Sequence, residues 1–339
     1  MIAAAGTARR GTLVWLLAAA AAILVLAVIV GPRGSLSSLV PDDPVEARII
    51  NDVRIPRVSL GFLAGAGLAM AGMAFQALFR NALATPYTLG VSAGASLGAA
   101  IYVHLGVTAS VAGIPGHAVA ALAGATASIA LVYAVARATM DFSSSTLLLA
   151  GVAIGFLFTS IILAIQYLGD VTTSFRIGRW LLGGLEVVGF VPVVHVLPFV
   201  VVGIGILLAV SRELDLLVLG EESAATRGVP VAVVKQLVFA AASLMVGGVV
   251  ATCGPIGFVG LVVPHIGRIV LGPAHRTLGP FSVLAGGAFL VACDTVGRTV
   301  AAPVEIPVGV ITALIGAPFF LAMLVRGHAR RRLGAQGSR

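Results

Sequence analysis

The chain has 339 residues, of which 59% are hydrophobic and only 10% are charged, and its mean hydropathy is +1.10. Soluble domains carry about 25% charged residues, so this composition excludes a soluble globule. The net charge of +8 does not indicate nucleic-acid binding, because the basic residues are scattered over short loops and the C-terminal tail, as membrane topology requires. Cys253 and Cys293 lie in or beside apolar runs and predict neither a disulfide framework nor a metal site.

Long, continuously apolar runs predict an all-α integral membrane protein with about ten spans. They lack the alternation of a β-barrel. The first run could also be a signal peptide, but its length and the lack of a cleavage site favour a span. Most Lys and Arg residues fall in loops assigned to the inside, which places both termini in the cytoplasm. We assign one polytopic domain over 1–339, divided into a first span (12–30), an outer loop (31–57), spans two to five (58–168), an outer segment (169–191), span six (192–210), an inner coupling loop (211–234), spans seven to ten (235–325) and a basic inner tail (326–339).

The two four-span blocks, spans two to five and seven to ten, predict an inverted repeat. In each block a Gly-rich lead helix is followed by a short, Gly-interrupted span, at 90–103 and at 256–263. Paired short helices of this kind indicate a repeat interface that builds a translocation path. The finer spans are 58–78, 116–136 and 145–168 in the first block, and 235–252, 280–300 and 307–325 in the second. An interfacial helix is expected near 175–185, and an inner loop at 264–279.

The stretch 219–230 is the main polar interruption in the second half of the chain. Acidic residues at its start and Gly228 followed by Pro230 at its end are helix punctuation. It is either a solvated surface helix or, as we favour, a helix that docks onto a soluble partner. The only lysine, Lys235, is followed by Gln, so no Walker A motif exists and any ATP must be bound by another chain. No second copy of the stretch is visible in the first half.

The ionisable residues near the spans leave alternatives open. Asp294 lies inside the ninth span and is either a functional group or the helical partner of Arg298, which we place at the accessible outer mouth. Arg54 and Arg57 precede the second span at the outer surface. They either capture carboxylates or anchor the helix end to lipid headgroups. The histidines lack a second ligand nearby, so no metal site is predicted.

Gly90-Val-Ser-Ala-Gly94 matches the nucleophile elbow of hydrolases. The elbow needs a strand–turn–helix context and a histidine partner. Here the motif lies in a Gly/Ala-rich apolar run with glycines at four-residue spacing, which favours helix packing over catalysis.

Several blocks resemble the iron–siderophore, haem and vitamin B12 permease family, the membrane subunits of ATP-binding-cassette (ABC) importers. They occur in the family's order and cover nearly the whole chain after the first span. The similar blocks are Arg54-Ile-Pro-Arg57, the glycine-rich run from Gly65 to Gly72, Gln76-Ala-Leu-Phe-Arg-Asn81, the run from Gly254 to Arg268, Asp294 to Gly309 and Gly316-Ala-Pro-Phe319.

The resemblance implies a ten-span subunit that pairs with a second permease chain, two ATPase subunits inside and a substrate-binding protein outside. It assigns Arg54, Arg57 and Arg298 to docking of the binding protein. It implies an ATPase coupling helix formed by Glu221, Glu222, Ser223, Ala224, Ala225, Thr226, Arg227 and Gly228. It also implies an inner gate formed by Asn81, Leu83, Ser143, Ser144 and Ser145. Ala82 departs from the family's usual proline, which suggests a more flexible gate loop.

The functional hypothesis is therefore a non-catalytic permease subunit in the plasma (inner) membrane that imports an iron–siderophore or a similar chelate by alternating access. No cofactor is expected on this chain, since ATP and Mg would lie on the ATPase and iron would travel inside its chelator. The rival is an ion-coupled secondary transporter, for which Asp294 is the plausible coupling group. A more distant alternative is an intramembrane enzyme that uses Ser92.

Overall fold

The computed structural model describes residues 2–31, 43–111, 114–140 and 143–336. Residues 32–42 of the outer loop, part of the turn before the fifth span and the last three residues of the basic tail lie outside these ranges. The α-helices are α1 (Ile2–Ile29), α2 (Pro44–Ile49), α3 (Ile55–Leu78), α4 (Val91–His104), α5 (Gly116–Ala138), α6 (Ser144–Leu168), α7 (Val171–Leu181), α8 (Val191–Ala209), α9 (Ser211–Val218), α10 (Glu221–Ala225), α11 (Val231–Cys253), α12 (Val259–Leu271), α13 (His275–Thr299) and α14 (Val308–Gln336).

The remaining regular structure is short. A π-helical turn, Ile50–Arg54, joins α2 to α3, and a 3₁₀ turn, Pro86–Leu89, precedes α4. Strands β1 (Ser110–Val111) and β2 (Ile114–Pro115) form a small antiparallel ribbon between α4 and α5. The sequence analysis did not predict this ribbon.

The described helices confirm the predicted all-α membrane fold. Six helical segments are long and apolar enough to cross a bilayer: 44–78, α5, α6, α8, α11 and α13. Four shorter apolar helices lie at 16–29, 91–104, 259–271 and 308–323, which together with the six gives the ten predicted spans. The centre of the bundle is α3, which is buried along nearly its whole length.

The prediction of an inner loop at 264–279 is wrong. Most of it is helical, because α12 continues to Leu271 and α13 already begins at His275. Pro264 normally would end a helix, since it lacks an N–H and frees the carbonyl four residues earlier. In this fold the freed carbonyl, that of Gly260, accepts a hydrogen bond of 3.1 Å from the side-chain amide of Gln76 on α3. The interfacial helix α7 also begins earlier than predicted, where Asp170 caps it by accepting from the Thr173 N–H at 2.7 Å.

The helix contacts follow the pattern of a two-fold repeat in which α3–α6 correspond to α11–α14. The contact of α3 with α13 corresponds to that of α11 with α5, and the contact of α4 with α5 corresponds to that of α12 with α13. Likewise, α4 contacts α6 as α12 contacts α14, and α4 contacts α11 as α12 contacts α3. Five spans, α3 to α6 and α8, separate the start of α3 from the start of α11. An odd number of crossings gives the two blocks opposite directions, as predicted.

The two short helices of the repeats begin in the same unusual way. The residue before α4 is Gly90, with φ +72°, and the residue before α12 is Phe258, with φ +66°. A left-handed conformation is easy for glycine but costs energy for phenylalanine. Phe258 therefore keeps a strained conformation where the chain turns into α12, which indicates that the surrounding packing fixes this entry.

Glycines set the closest helix approaches. A methyl group on Gly65 of α3 would lie 2.2 Å from the carbonyl oxygen of Gly286 on α13, and one on Gly72 would lie 2.0 Å from that of Gly260 on α12. Small residues let helix backbones approach in this manner in lipid. The glycine-rich sequence thus acts in helix packing, as predicted.

Candidate functional site

A cavity of about 850 Å³ lies where the two repeats meet. Its wall comes from α4 and α6 of the first repeat and from the start of α12 and α14 of the second, with Ser92, Phe156, Phe258 and Leu314 as representatives. None of the lining residues, all of which fall within the described ranges, is Asp, Glu, Lys, Arg or His. A large apolar site of this kind accepts a bulky ligand without fixing it by a salt bridge.

The depth of the cavity follows from its helices. Gly90 packs against Gly155, which lies eleven residues after the start of α6 and hence about 16 Å into that helix. Phe258 packs against Gly316, eight residues after the start of α14 and about 12 Å along it. The hydrocarbon core of a bilayer is about 30 Å thick. Both packing contacts thus lie about half-way through a bilayer of this thickness. The cavity beside them therefore reaches the middle of the membrane.

The segments of the predicted inner gate lie next to each other. Ser144 donates a hydrogen bond of 3.2 Å to the carbonyl of Leu78, which connects the start of α6 to the end of α3. Ser143 caps α6 by accepting from the Thr146 N–H at 3.2 Å. Asn81 accepts from the N–H of Leu83 at 2.9 Å.

Asn81, Ala82 and Leu83 are all exposed, as is Ser145. Contact between the two segments is a necessary condition for a gate. The gating role itself stays a prediction.

The predicted coupling helix is α10 followed by a turn. Helix α10 covers Glu221 to Ala225, and Thr226, Arg227 and Gly228 form the turn that ends it. Ala224 is fully buried, whereas Glu222, Ala225, Thr226, Arg227 and Gly228 are exposed. Glu221 accepts a hydrogen bond of 2.9 Å from Lys235 of α11, and Ser223 accepts through its carbonyl from the Thr226 hydroxyl. One face of the segment is thus exposed, and its opposite face packs against the bundle.

Arg57, Asp294, Arg298 and Glu305 form one ion-paired group, which we call the outer charge cluster. Arg57 binds Asp294 through two parallel contacts, Nε to Oδ2 at 3.0 Å and Nη2 to Oδ1 at 2.9 Å, and reaches Glu305 at 2.8 Å. The Arg298 Nε lies 3.1 Å from Asp294 Oδ2, the same oxygen that the Arg57 Nε contacts. The cluster connects α3, α13 and the loop before α14. The pairing of Asp294 with Arg298, one of the two alternatives for this residue, is thus present, and Arg57 is a second partner.

Two arginines also secure the end of α1. Arg54 donates to the carbonyls of Val28 and Ile29 at 3.1 and 3.2 Å, and Arg298 donates to that of Ala27 at 3.1 Å. The last carbonyls of a helix have no partner within the helix, and a cation there also complements the helix dipole. These two side chains therefore hold α1 against α3 and α13.

The expected exposure of the outer arginines is wrong. Arg54, Arg57 and Arg298 are only 7%, 9% and 3% exposed. Each contacts carbonyls or carboxylates of its own chain, and of these contacts the sequence analysis had considered only the pairing of Arg298 with Asp294. Docking of a binding protein on these residues remains a prediction.

Two polar contacts near the inner side were missed altogether. Asp215 on α9 accepts hydrogen bonds from both the backbone N–H and the ring Nδ1 of His275, at 2.8 and 2.6 Å. Gln76 accepts a hydrogen bond from Arg268 while it donates to Gly260. Charged or amide residues in otherwise apolar stretches were the available signal, but their partners lie 60 and 192 residues away.

Helix α7 carries the polar groups of the outer segment. Arg179 binds the carboxylate of Glu186 with both distances at 2.7 Å, and this pairing raises the pKa of Arg179. Hydrogen bonds from Thr173 hold the pKa of Asp170 below its ordinary value. The segment is thus a surface helix in which Arg179 and the capping residue Asp170 have local partners, which suits an interfacial position.

The elbow motif has no catalytic setting. Ser92 lies in the first turn of α4, is 2% exposed and has a hydroxyl without a hydrogen-bond partner among the described residues. The element before it is the 3₁₀ turn Pro86–Leu89 rather than a strand, and no histidine in the described part of the chain is hydrogen-bonded to it. Among the described residues there is likewise no group of three His, Cys, Asp or Glu side chains that could hold a metal.

The fold and cavity define a multi-pass membrane protein of the transport class, built from an inverted repeat around a midplane cavity. The FecCD transport family matches residues 13–326, and the chain belongs to that family.

Individual relatives agree with the family. The chain is 43% identical over 302 residues to YvrB of Bacillus subtilis, described as an uncharacterised ABC transporter permease, covering 88% of this chain and 84% of YvrB. It is 45% identical over 286 residues to the cobalamin import system permease BtuC of Halobacterium salinarum, covering 81% and 73%. A solved metal-chelate type ABC transporter in an inward-facing conformation is 30% identical with a TM-score of 0.85, covering 94% of this chain and 99% of that one.

Proposed function

We propose that this chain is the permease subunit of an ATP-driven importer that carries an iron–siderophore complex or a similar metal chelate. The observation that carries this proposal is the midplane cavity between the two repeats, since its size and its wall without Asp, Glu, Lys, Arg or His suit a bulky chelate. Similarity to a metal-chelate transporter and to a cobalamin permease supports the same ligand class.

The energy for transport comes from separate subunits in this proposal. The sequence has no Walker A motif. Helix α10 presents Glu222, Ala225, Thr226 and Arg227 on an exposed face, which fits a docking site for an ATPase. One such helix per chain matches one ATPase, so a complex with two ATPases needs two permease chains. The second chain is either identical or related.

On the outside, an external binding protein delivers the chelate. Arg54, Arg57 and Arg298 are proposed to receive its acidic residues, in which case a partner carboxylate joins the outer charge cluster.

The rival, an ion-coupled secondary transporter, lacks a suitable coupling group. Asp294 is held in ion pairs with Arg57 and Arg298, and none of the residues that line the cavity is a carboxylate. A carboxylate that carries protons must gain and lose them during the cycle. The geometry therefore favours the ATP-driven function.

The test is uptake by reconstituted proteoliposomes. The permease is combined with the ATPase and binding protein encoded near it, and uptake of a labelled ferric chelate is followed with ATP inside the compartment that holds the ATPase. We expect uptake to require ATP and to persist when ionophores collapse the ion gradients. Uptake that continues without ATPase or ATP but stops with ionophores would refute the proposal and establish the rival.

A further inference from the structure

The contact between Asp215 and His275 suggests how α10 connects to the rest of the bundle. We propose that Asp215 and His275 are positioning residues that transmit movement of α9 and α10 to α13, and through α13 to the outer charge cluster. This inference rests on the proposed function, because it names the path between the ATPase side and the outer face.

The contact itself is tight and directional. One oxygen of Asp215, Oδ1, accepts from the His275 backbone N–H at 2.8 Å and lies 2.6 Å from the ring Nδ1. A nitrogen this close to a carboxylate oxygen must carry the proton, so Nδ1–H is the donor. His275 is 3% exposed, so its ring is fixed by packing as well as by the two hydrogen bonds.

Helix α13 depends on this contact for its N-terminus. Its own N-cap residue, Ala274, has no side chain that could cap, and its first turn has no acidic residue. Asp215 supplies both missing features, an acceptor for the first N–H and a negative charge at the positive end of the helix. The cap of α13 thus comes from a different helix, and a displacement of α9 moves that cap.

Helices α9 and α10 form a continuous unit that can carry such a displacement. Only Leu219 and Gly220 separate them, and both are tied back to α9 by hydrogen bonds to Leu216 and Leu217 at 3.1 Å. Ala224 of α10 donates to the carbonyl of Gly220 at 2.9 Å. Since α10 has the exposed face proposed to meet the ATPase, force on it reaches Asp215 without a flexible linker.

Helix α13 then connects the two faces of the membrane. It runs for 25 residues, about 37 Å, from His275 to Thr299. Pro280 omits one backbone hydrogen bond in the second turn, but the buried Leu278 and Phe281 hold that turn in the core. The last turns of the helix carry Asp294 and Arg298 of the outer charge cluster. One helix therefore has its start capped by α9 and its end bound to α1 and α3.

The experiment compares Asp215→Ala with Asp215→Asn in the complete complex of permease, ATPase and binding protein in proteoliposomes. Three quantities are measured: basal ATP hydrolysis, its stimulation by loaded binding protein, and chelate taken up per ATP hydrolysed. Asp215→Ala removes both accepted hydrogen bonds, so we expect uptake per ATP to fall about tenfold and the stimulation to disappear, while basal hydrolysis remains. Asp215→Asn keeps an acceptor oxygen, so its uptake per ATP should stay within about threefold of the wild type.

His275→Ala tests the same contact from the other side. It keeps the backbone N–H that donates to Asp215 and loses only the ring contact, so its effect should lie between those of the two Asp215 variants. Arg276→Gln, a change at the exposed neighbouring residue of α13, is the matched control and should behave as wild type.

Three results would overturn the inference. The first is normal uptake per ATP in Asp215→Ala. The second is equal impairment of Asp215→Ala and Asp215→Asn, because the hydrogen bonds would then be irrelevant. The third is a parallel loss of basal hydrolysis and uptake, because the contact would then serve only assembly. Failure of the proposed function looks different, since the wild-type complex itself would then show no ATP-dependent uptake.

Discussion

Removing the charge of Asp294 should destabilise the protein strongly, because the residue balances two buried arginines. Asp294 and Arg298 have side chains that are 5% and 4% exposed, and that of Arg57 is 10% exposed. Asp294→Asn keeps the side-chain size, yet it leaves Arg298 without a carboxylate and Arg57 with Glu305 alone. Breaking a buried ion pair by removing one partner typically costs about 3–5 kcal/mol, and we expect a loss of unfolding free energy in this range.

The measurement is reversible unfolding of the purified permease in mixed micelles, with Asp52→Asn, an exposed carboxylate before α3, as the control. A second variant, Asp294→Asn combined with Arg298→Met, removes one charge of each sign and leaves Arg57 paired with Glu305. It should be more stable than Asp294→Asn alone, since no unpaired arginine is then buried. A cost below about 1 kcal/mol for Asp294→Asn, or no recovery in the double variant, would refute the assignment of Asp294 as the buried counter-ion.

Three further changes test other contacts. Gly72→Ala should lower the thermal stability, because the new methyl group would lie 2.0 Å from the Gly260 carbonyl, whereas Gly205→Ala, with nothing within 4 Å, should not. Gln76→Leu should cost about 1–3 kcal/mol, measured by the same unfolding assay, since it leaves the Gly260 carbonyl unpaired; an unchanged stability would mean that this carbonyl finds another donor. Lys235→Met should reduce the stimulation of ATP hydrolysis by loaded binding protein and leave the fold stable, because Glu221, whose side chain is 40% exposed, can be hydrated instead; undiminished stimulation would exclude a role for the pair in coupling.

Most spans could be predicted from the sequence because a long apolar run has few alternatives to a helix in lipid. The boundaries of α5, α6 and α8 differ from the predictions by at most two residues. Prediction failed around α12 and α13, where Pro264 was read as the start of a loop and Pro280 as the start of the next span. The side chain that makes Pro264 tolerable, Gln76, lies 184 residues from Gly260. No local pattern contains that information.

The outer charge cluster shows the same limit. The positions of the arginines in the sequence placed them at the ends of predicted spans, but they could not show that these side chains are buried. Burial depends on Asp294 and Glu305, which lie 237 and 248 residues from Arg57. Charged residues next to a membrane are exposed by default. Only tertiary contact with carboxylates and with the end of α1 compensates the free-energy cost of burying these arginines.

The short helices that precede the two repeats are connected to them in different ways. Both lead helices have a short helix before them, α2 before α3 and α10 before α11, and the inversion puts the two on opposite faces. Helix α2 passes into α3 through the π-helical turn at 50–54 without a break. Helix α10 stands between Gly220 and Gly228, both at positive φ, and Pro230 follows. Equivalent positions therefore hold an extension that is continuous with α3 before the first repeat and, before the second, a short helix that is joined to α9 by the hydrogen bonds of its two linking residues and separated from α11 by the turn at Gly228 and Pro230.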